Sequence, residues 1–129
     1  IASSTHRPQR SLKERLEVAL ANSPPTRGDV YLIELDPTRG SEIRKTRPCL
    51  VVSPDELNQH LRTVIVAPMT TGGQAYPWRV RCRFRERTGY VAIDQLRTVD
   101  SERLVKRLGR VSPGTLTAVL AILQEMFTP

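Results

Sequence analysis

Short runs of apolar residues, several of them alternating with polar residues, fill the chain from residue 27 onward and are separated by turn residues. Residues 29–35 alternate in this way, and Asp36-Pro37 ends the run. The same pattern predicts further strands at residues 48–52, 63–69, 78–85, 89–93, 95–99 and 104–111. The last of these also fits a helix, and strand is the favoured interpretation. Many short strands with closely spaced turns predict a mainly β fold with helices, built as a small, strongly curved antiparallel sheet or barrel.

Two helices are predicted among these strands. Ser53-Pro54-Asp55-Glu56 fits a capping box, with Ser53 as the N-cap and proline at the first helical position, and starts a short helix that ends near His60. A closing helix begins at Pro113 and runs to about Phe127. Because apolar residues cover most of its circumference, we expect this helix to be buried on more than one side, either against the sheet or through self-association.

Residues 1–26 differ from the rest of the chain and are interpreted as a separate N-terminal extension, with residues 27–129 forming the main domain. Ser11 and Glu14 fit a capping box, and apolar residues at helical spacing predict a short amphipathic helix over residues 12–21. A helix this short is marginal alone, so its apolar stripe is expected to dock on another surface.

The composition points to an anionic partner, because 20 lysines and arginines outnumber 13 aspartates and glutamates. The net charge of +7 leaves nucleic acid, acidic proteins and anionic membrane surfaces as partner classes. No apolar run approaches the roughly 20 residues that a spanning helix needs, and no secretory signal is visible, so a cytoplasmic protein is expected. Cys49 and Cys82 are isolated and expected to be buried and reduced. No metal site and no cofactor are predicted, since the two histidines are lone and far apart.

Four arginines alternate with apolar residues in the stretch from residue 79 to residue 85. In a strand, Val80, Cys82 and Phe84 would face the core. The opposite face would then carry a row of like charges: Arg79, Arg81, Arg83 and Arg85. Such a row is favourable when phosphates supply the counter-charge, which favours nucleic-acid binding. The alternative is an exposed edge strand that its charges protect from aggregation.

The charged loop from Arg39 to Pro48 is the second candidate for function. Arg47 lies where this loop enters a buried strand, so the strand would fix its guanidinium as an anion clamp. The alternative is a surface loop in which Arg47 pairs with Glu42. Farther along, Thr70 stands where a strand opens into a glycine-containing loop, and its hydroxyl is suited to donate to a phosphate oxygen; a simple turn threonine is the alternative.

At these residues the chain resembles the MazF/PemK-type toxins. The resemblance runs from about Arg27 to Phe127, and its motifs occur in the family's order. These motifs are Arg27-Gly28-Asp29-Val30-Tyr31, Asp36-Pro37-Thr38-Arg39-Gly40-Ser41-Glu42, Thr46-Arg47-Pro48, Val66-Ala67-Pro68-Met69-Thr70 and Ala92-Ile93-Asp94-Gln95-Leu96-Arg97-Thr98. The resemblance implies a small SH3-like or CcdB-like barrel with a C-terminal helix, a homodimer, a MazE-like antitoxin that blocks the site, and sequence-specific cleavage of single-stranded RNA without a metal ion.

The resemblance also implies roles for individual residues. The family's catalytic arginine and threonine match Arg47 and Thr70, which we expect to hold the scissile phosphate and stabilise its developing charge. Arginine effectively never deprotonates, so Glu42 is the better candidate for the general base that activates the RNA 2′-hydroxyl. The predicted substrate-binding residues are Arg39, Ser41, Lys45, Thr71, Tyr76, Arg79, Arg81, Arg83 and Gln95. Tyr76, together with Trp78, is a candidate for stacking on RNA bases.

Residues 1–26 depart from the family pattern, and we interpret them as a regulatory segment, an antitoxin-like segment or an artificial addition. Their net positive charge argues against the antitoxin-like interpretation. Two rival functions share the implied fold or the basic face: a CcdB-like gyrase-binding toxin without nuclease activity, and a non-catalytic nucleic-acid-binding module.

Overall fold

The computed structural model describes residues 11, 12 and 23–129 of the chain. The predicted N-terminal helix, apart from its first residue, therefore lies outside the described residues. From residue 29 onward the elements, in chain order, are β1 (Asp29–Glu34), β2 (Thr46–Val51), α1 (Asp55–His60), β3 (Thr63–Thr70), β4 (Arg79–Phe84), β5 (Arg87–Ala92), β6 (Arg97–Asp100), β7 (Leu104–Arg110) and α2 (Pro113–Met126). Short 3₁₀ turns precede β6 and β7. No helix in the described part of the chain is long and apolar enough to cross a membrane.

The strands form one antiparallel sheet in the order β4-β5-β3-β2-β1-β7, with β6 paired to β3 outside this path. Strand β3 has two neighbours on one side, because residues 63–66 pair with β6 and residues 69–70 pair with β5. The two ends of the sheet meet, since the Arg85 guanidinium donates a hydrogen bond to the Leu108 carbonyl. The predicted mainly β fold with a strongly curved sheet and a C-terminal helix is confirmed. The favoured strand interpretation of residues 104–111 is also confirmed, since β7 covers Leu104–Arg110.

Two apolar clusters occupy the two sides of the central strands. One contains Leu50 and Ala67 and includes Val119 of α2, whereas the other contains Cys49 and Val66. Neighbouring residues of β2 and β3 thus point into different clusters, which explains why these strands are apolar without alternation. The Cys49 thiol is completely buried, and this burial raises its pKa to about 12.

Helix α2 closes the fold but covers the core with one face only. Its N-cap Ser112 accepts a hydrogen bond from the Thr115 N–H (3.1 Å), and proline occupies the first turn. Val119 is fully buried, and four half-buried residues pack beside it: Leu116, Ile122, Leu123 and Met126. Ala118 and Ala121 are exposed on the other side. The prediction that this helix is buried on more than one side is therefore wrong for the single chain.

The predicted capping box at Ser53 is also wrong. Helix α1 begins at Asp55 with Pro54 as its N-cap, and no side chain caps it. Ser53 is buried, and its hydroxyl instead accepts a hydrogen bond from the Ile65 N–H (3.0 Å) and donates to the side chain of Asn58. A buried hydroxyl must satisfy its hydrogen bonds within the protein, and here the adjacent strand competes successfully for it.

Candidate active site

Arg47 of β2 and Thr70 of β3 line one cavity of about 620 Å³. Four parts of the fold supply the rest of its wall: the residues around Arg47, the residues on either side of Thr70, the β4–β5 hairpin and β7. The lining residues are Lys45, Thr46, Arg47, Pro48, Met69, Thr70, Thr71, Cys82, Phe84, Arg85, Arg87, Thr88, Gly89, Tyr90 and Leu108. The sequence separates the predicted pair by more than twenty residues, and the fold brings both members to the same place.

The register of the sheet explains this meeting. Strands β2 and β3 are antiparallel, with Cys49 opposite Pro68. Arg47 lies two residues before Cys49 and Thr70 lies two residues after Pro68, so both residues are at the same end of the β2–β3 pair. Side chains two residues apart on a strand point to the same face, so Arg47 and Thr70 lie on the same face of the sheet.

Arg47 is half-buried, and its guanidinium Nε donates a hydrogen bond to the Arg44 carbonyl at 3.0 Å. This bond holds the planar group in one orientation. Among the described residues Arg47 forms no ion pair with a carboxylate, so the alternative pairing with Glu42 is not observed. Its terminal nitrogens are consequently available to an anion.

The Thr70 hydroxyl donates a hydrogen bond to the Gly72 carbonyl at 3.1 Å. This is the local turn contact expected of a threonine in that position. A hydroxyl oxygen retains its two acceptor lone pairs and can rotate its proton towards a bound ligand. Thr70 therefore combines a structural turn bond with a place in the wall of the cavity.

The charged residues that line the cavity are all positive. Four cationic residues line it, namely Lys45, Arg47, Arg85 and Arg87, and none of the lining residues is acidic. Two hydroxyl groups from Thr70 and Thr71 lie in the same wall. A concave surface with several cations and hydroxyl donors is suited to a phosphate-bearing ligand.

Cys82 also lines the cavity, but it is almost completely buried. Burial raises the pKa of its thiol, and a hydrogen bond with Thr115 opposes this effect. The reactive form of cysteine is the thiolate, which this environment disfavours. Both cysteines are free and buried, as the sequence predicted.

The loop before β2 contributes less to the cavity than the sequence predicted. Lys45 lines it, whereas Arg39, Ser41 and Glu42 are exposed residues outside the lining. The Glu42 carboxylate accepts a hydrogen bond from the Arg39 N–H at 2.9 Å and so stabilises a turn of the loop itself. Gln95 is also outside the lining, and its side-chain oxygen accepts a hydrogen bond from the Ile43 N–H at 3.4 Å.

The predicted row of four unpaired arginines is wrong at both ends. Strand β4 ends at Phe84, and Arg85 lies with Glu86 in the hairpin turn, where both residues have positive φ angles of 50° and 64°. At the other end, the Arg79 guanidinium forms two hydrogen bonds with Asp94, at 2.9 and 3.1 Å. Hydrogen bonding with Arg79 lowers the pKa of the Asp94 carboxyl.

Arg81 and Arg83 remain exposed on β4 and form no ion pair within the described part of the chain. They are the members of the predicted row that keep an unpaired charge.

Residues 26–127 match the family model described as "PemK-like, MazF-like toxin of type II toxin-antitoxin system". The chain belongs to this family. It is 37% identical over 108 residues to the endoribonuclease PemK of Escherichia coli, an alignment covering 79% of this chain and 81% of that protein.

Two solved structures show the same fold as this PemK/MazF-family chain. MazF from Deinococcus radiodurans superposes with a TM-score of 0.73 at 25% identity, covering 81% of this chain and 97% of that one. An endoribonuclease from a mycobacterial species, solved in complex with its cognate antitoxin, has a TM-score of 0.68 at 29% identity with the same coverages.

The two predicted stacking residues of the PemK/MazF-family chain lie outside the cavity lining. Tyr76 is 51% exposed and Trp78 is 37% exposed. The Arg79 guanidinium lies over the Tyr76 ring, 5.3 Å from its centre. Asp94 thus positions Arg79, and Arg79 covers one face of Tyr76.

Sequence reasoning missed the contribution of β5 to the cavity, which comes from Arg87, Thr88 and Tyr90. The alternation of β5 indicates which of its residues share a face, but it does not indicate which strand besides β4 pairs with β5. That strand is β3, which is separated from β5 in sequence by the whole of β4.

Proposed function

We propose that this chain is the endoribonuclease toxin of a type II toxin–antitoxin pair and cleaves single-stranded RNA at a preferred sequence without a metal ion. The observation that carries the proposal is the cavity in which Arg47 and Thr70 share a wall with further cations and no carboxylate. Family membership, with relatives named endoribonucleases, supports the same activity. Neither rival function, gyrase binding or RNA binding without cleavage, is favoured by any of these observations.

In the proposed reaction the RNA supplies its own nucleophile. The 2′-hydroxyl loses its proton to a base and attacks the adjacent phosphorus, the bond to the 5′-oxygen breaks, and that oxygen takes up a proton. The products are a 2′,3′-cyclic phosphate and a 5′-hydroxyl. Arg47 and Thr70 donate hydrogen bonds to the phosphate oxygens as negative charge accumulates on them, which is the electrostatic contribution that usually dominates.

Glu42 keeps its proposed role as the general base, although it lies outside the cavity lining in this structure. Catalytic contacts are often long in a protein without substrate and shorten when the substrate binds. Its carboxylate belongs to the same loop as Lys45, which does line the cavity. Replacement by glutamine removes the base and keeps the shape, so Glu42→Gln tests this role directly.

The partners follow from the same family. We propose a cognate antitoxin, on the strength of the mycobacterial relative solved with its own antitoxin, and the family resemblance favours one of the MazE type. We also propose a homodimer, for which the apolar residues that α2 leaves partly exposed offer a surface, and a cytoplasmic location, where RNA substrates occur. Binding of RNA is assigned to the cavity together with the exposed Arg81 and Arg83 on β4.

The proposal is tested with purified protein, single-stranded RNA and a chelator. We expect cleavage to persist with the chelator and to yield cyclic phosphate ends. Arg47→Ala and Thr70→Ala should each lower kcat by about 100- to 1000-fold, the usual loss of one transition-state donor. Arg62→Ala is the matched control, because Arg62 is exposed and lies outside the cavity lining.

Three results would contradict the proposal. Cleavage by Arg47→Ala at the native rate would remove the arginine from the mechanism. Intact RNA together with salt-sensitive binding would indicate a non-catalytic RNA-binding module. Inhibition of gyrase without any RNA cleavage would indicate the CcdB-like alternative.

A further inference from the structure

Tyr90 occupies the centre of a row of side chains that crosses three strands at the cavity. It lies directly opposite Thr70 on β3 and directly opposite Arg81 on β4. Directly opposed residues of antiparallel strands project to the same face, with Cβ atoms about 4.5–5.5 Å apart. Tyr90 therefore lies between the hydroxyl assigned to the scissile phosphate and the first unpaired arginine of β4.

The backbone next to Tyr90 is fixed against Thr70. A Cβ atom placed on Gly89 would lie 1.6 Å from the Thr70 carbonyl oxygen, so β5 approaches β3 more closely here than any larger residue permits. On the other side, Val91 is fully buried and pairs with Met69. The position of the tyrosine relative to Thr70 is thus determined by the packing of its two neighbours.

The side chain of Tyr90 nevertheless remains available to a ligand. It is half-buried, it lines the cavity, and its hydroxyl forms no hydrogen bond with any other described residue. Phe84, the other aromatic residue of the lining, lies beside Gly109 at the closure of the sheet. Tyr90 is therefore the aromatic lining residue that offers both a ring and a polar group to a ligand.

These two groups match the chemistry of an unpaired nucleotide. Single-stranded RNA exposes both the faces and the hydrogen-bonding edges of its bases, and proteins read it by stacking and by polar contacts to those edges. A phosphate held at Thr70 lies about one strand spacing, roughly 5 Å, from the Tyr90 position. A base joined to that phosphate through its sugar is long enough to reach the tyrosine side chain.

We infer that Tyr90 is a specificity-determining residue, whose ring stacks on the base next to the scissile phosphate and whose hydroxyl selects that base by a hydrogen bond to its edge. The inference rests on the proposed ribonuclease function and adds a residue that the sequence motifs do not contain. It assigns base selection next to the cut to β5, and contact with more distant phosphates to Arg81 and Arg83.

The test compares Tyr90→Phe, which removes only the hydroxyl, with Tyr90→Ala, which removes the ring as well. Cleavage of a random-sequence RNA pool, followed by sequencing of the new ends, gives the preference at each position around the cut. Tyr90→Phe should weaken the preference at one position adjacent to the cut and leave the others unchanged. Tyr90→Ala should in addition raise KM on the preferred oligonucleotide by about 5- to 150-fold, the range expected for one lost base–aromatic stack.

Tyr31→Phe is the matched control, because Tyr31 lies on β1 outside the cavity lining. Thermal unfolding of each variant verifies that it is folded. If the alanine variant is unstable, Tyr90→Phe still tests the inference, because it removes only the hydroxyl. If the unaltered protein cleaves RNA and both Tyr90 variants keep its positional preferences and KM, the Tyr90 inference is overturned while the proposed function stands. If the unaltered protein cleaves no RNA, the proposed function itself fails.

Discussion

Replacing Gly89 with alanine tests whether the contact between β3 and β5 builds the site. The added Cβ would lie 1.6 Å from the Thr70 oxygen, 2.7 Å from the Thr70 carbonyl carbon and 3.1 Å from the Thr71 Cα. All three atoms belong to the backbone, so the clash cannot be relieved by rotating a side chain. An ordinary contact needs more than 3 Å between the Cβ and that oxygen, so the strands must separate by about 1.5 Å at Thr70.

The expected cost follows from that displacement. Overpacking of a well-packed region costs about 1–3 kcal/mol or more, which for a domain of this size lowers Tm by about 4 °C or more. A misplacement of about 1 Å at a catalytic group lowers activity by about 100-fold. We therefore expect Gly89→Ala to remain folded at low temperature, with reduced stability and a kcat for RNA cleavage lowered by about 100-fold.

Thermal unfolding and single-turnover RNA cleavage, measured on the same preparations, check both parts. Gly114→Ala is the control, because a Cβ at Gly114 has no neighbour closer than 4.0 Å and the residue lies in α2, away from the cavity. An unchanged Tm and cleavage rate for Gly89→Ala would show that the close approach of β5 is not needed, and would refute the reasoning.

Two further predictions concern ionisable groups. The pKa of Asp94 is lowered from its ordinary value of 3.8 by Arg79, so the pair stabilises the folded chain above about pH 4 and loses this contribution as the pH falls below the lowered pKa. The difference in unfolding free energy between the unaltered protein and Asp94→Asn should accordingly shrink on acidification, and a difference independent of pH would exclude the pair as its source. Cys49, with a pKa of about 12 and no exposure, should resist alkylation at pH 8 until the protein unfolds; rapid labelling of the folded protein, read by mass spectrometry, would contradict its burial.

Much of the fold is predictable because its strands follow simple local rules. The run at β2 is apolar without alternation because Cys49 and Leu50 face different clusters, and the run at β4 alternates because only one of its faces is covered. The meeting of Arg47 and Thr70 was expected only through the family resemblance. The structure adds the reason, which is the antiparallel register of β2 and β3.

Three of the incorrect predictions concern Ser53, Arg85 and Arg79, whose contacts or turn conformation the local sequence pattern does not show. Ser53 fits a capping box locally, but Ile65 and Asn58 engage its hydroxyl. Arg85 continues the alternation of β4, yet the chain turns there without the asparagine or glycine that usually announces a two-residue hairpin turn. The sequence pattern predicts an unpaired Arg79, but in the fold Asp94, fifteen residues later, lies beside it. The local sequence pattern shows neither these contacts nor the turn at Arg85.

The first strand of the domain, β1, pairs with the last, β7, and β7 contributes Leu108 to the wall of the cavity. A ribosome that has translated the chain as far as β6 has already produced the arginine and the threonine, but the sheet still lacks its closing strand. Pairing between strands so far apart in sequence is slow to form, because the entropy of closing the long loop must be lost first. The nascent chain therefore gains the complete wall of the cavity only when its final strand emerges, so the site is finished near the end of synthesis.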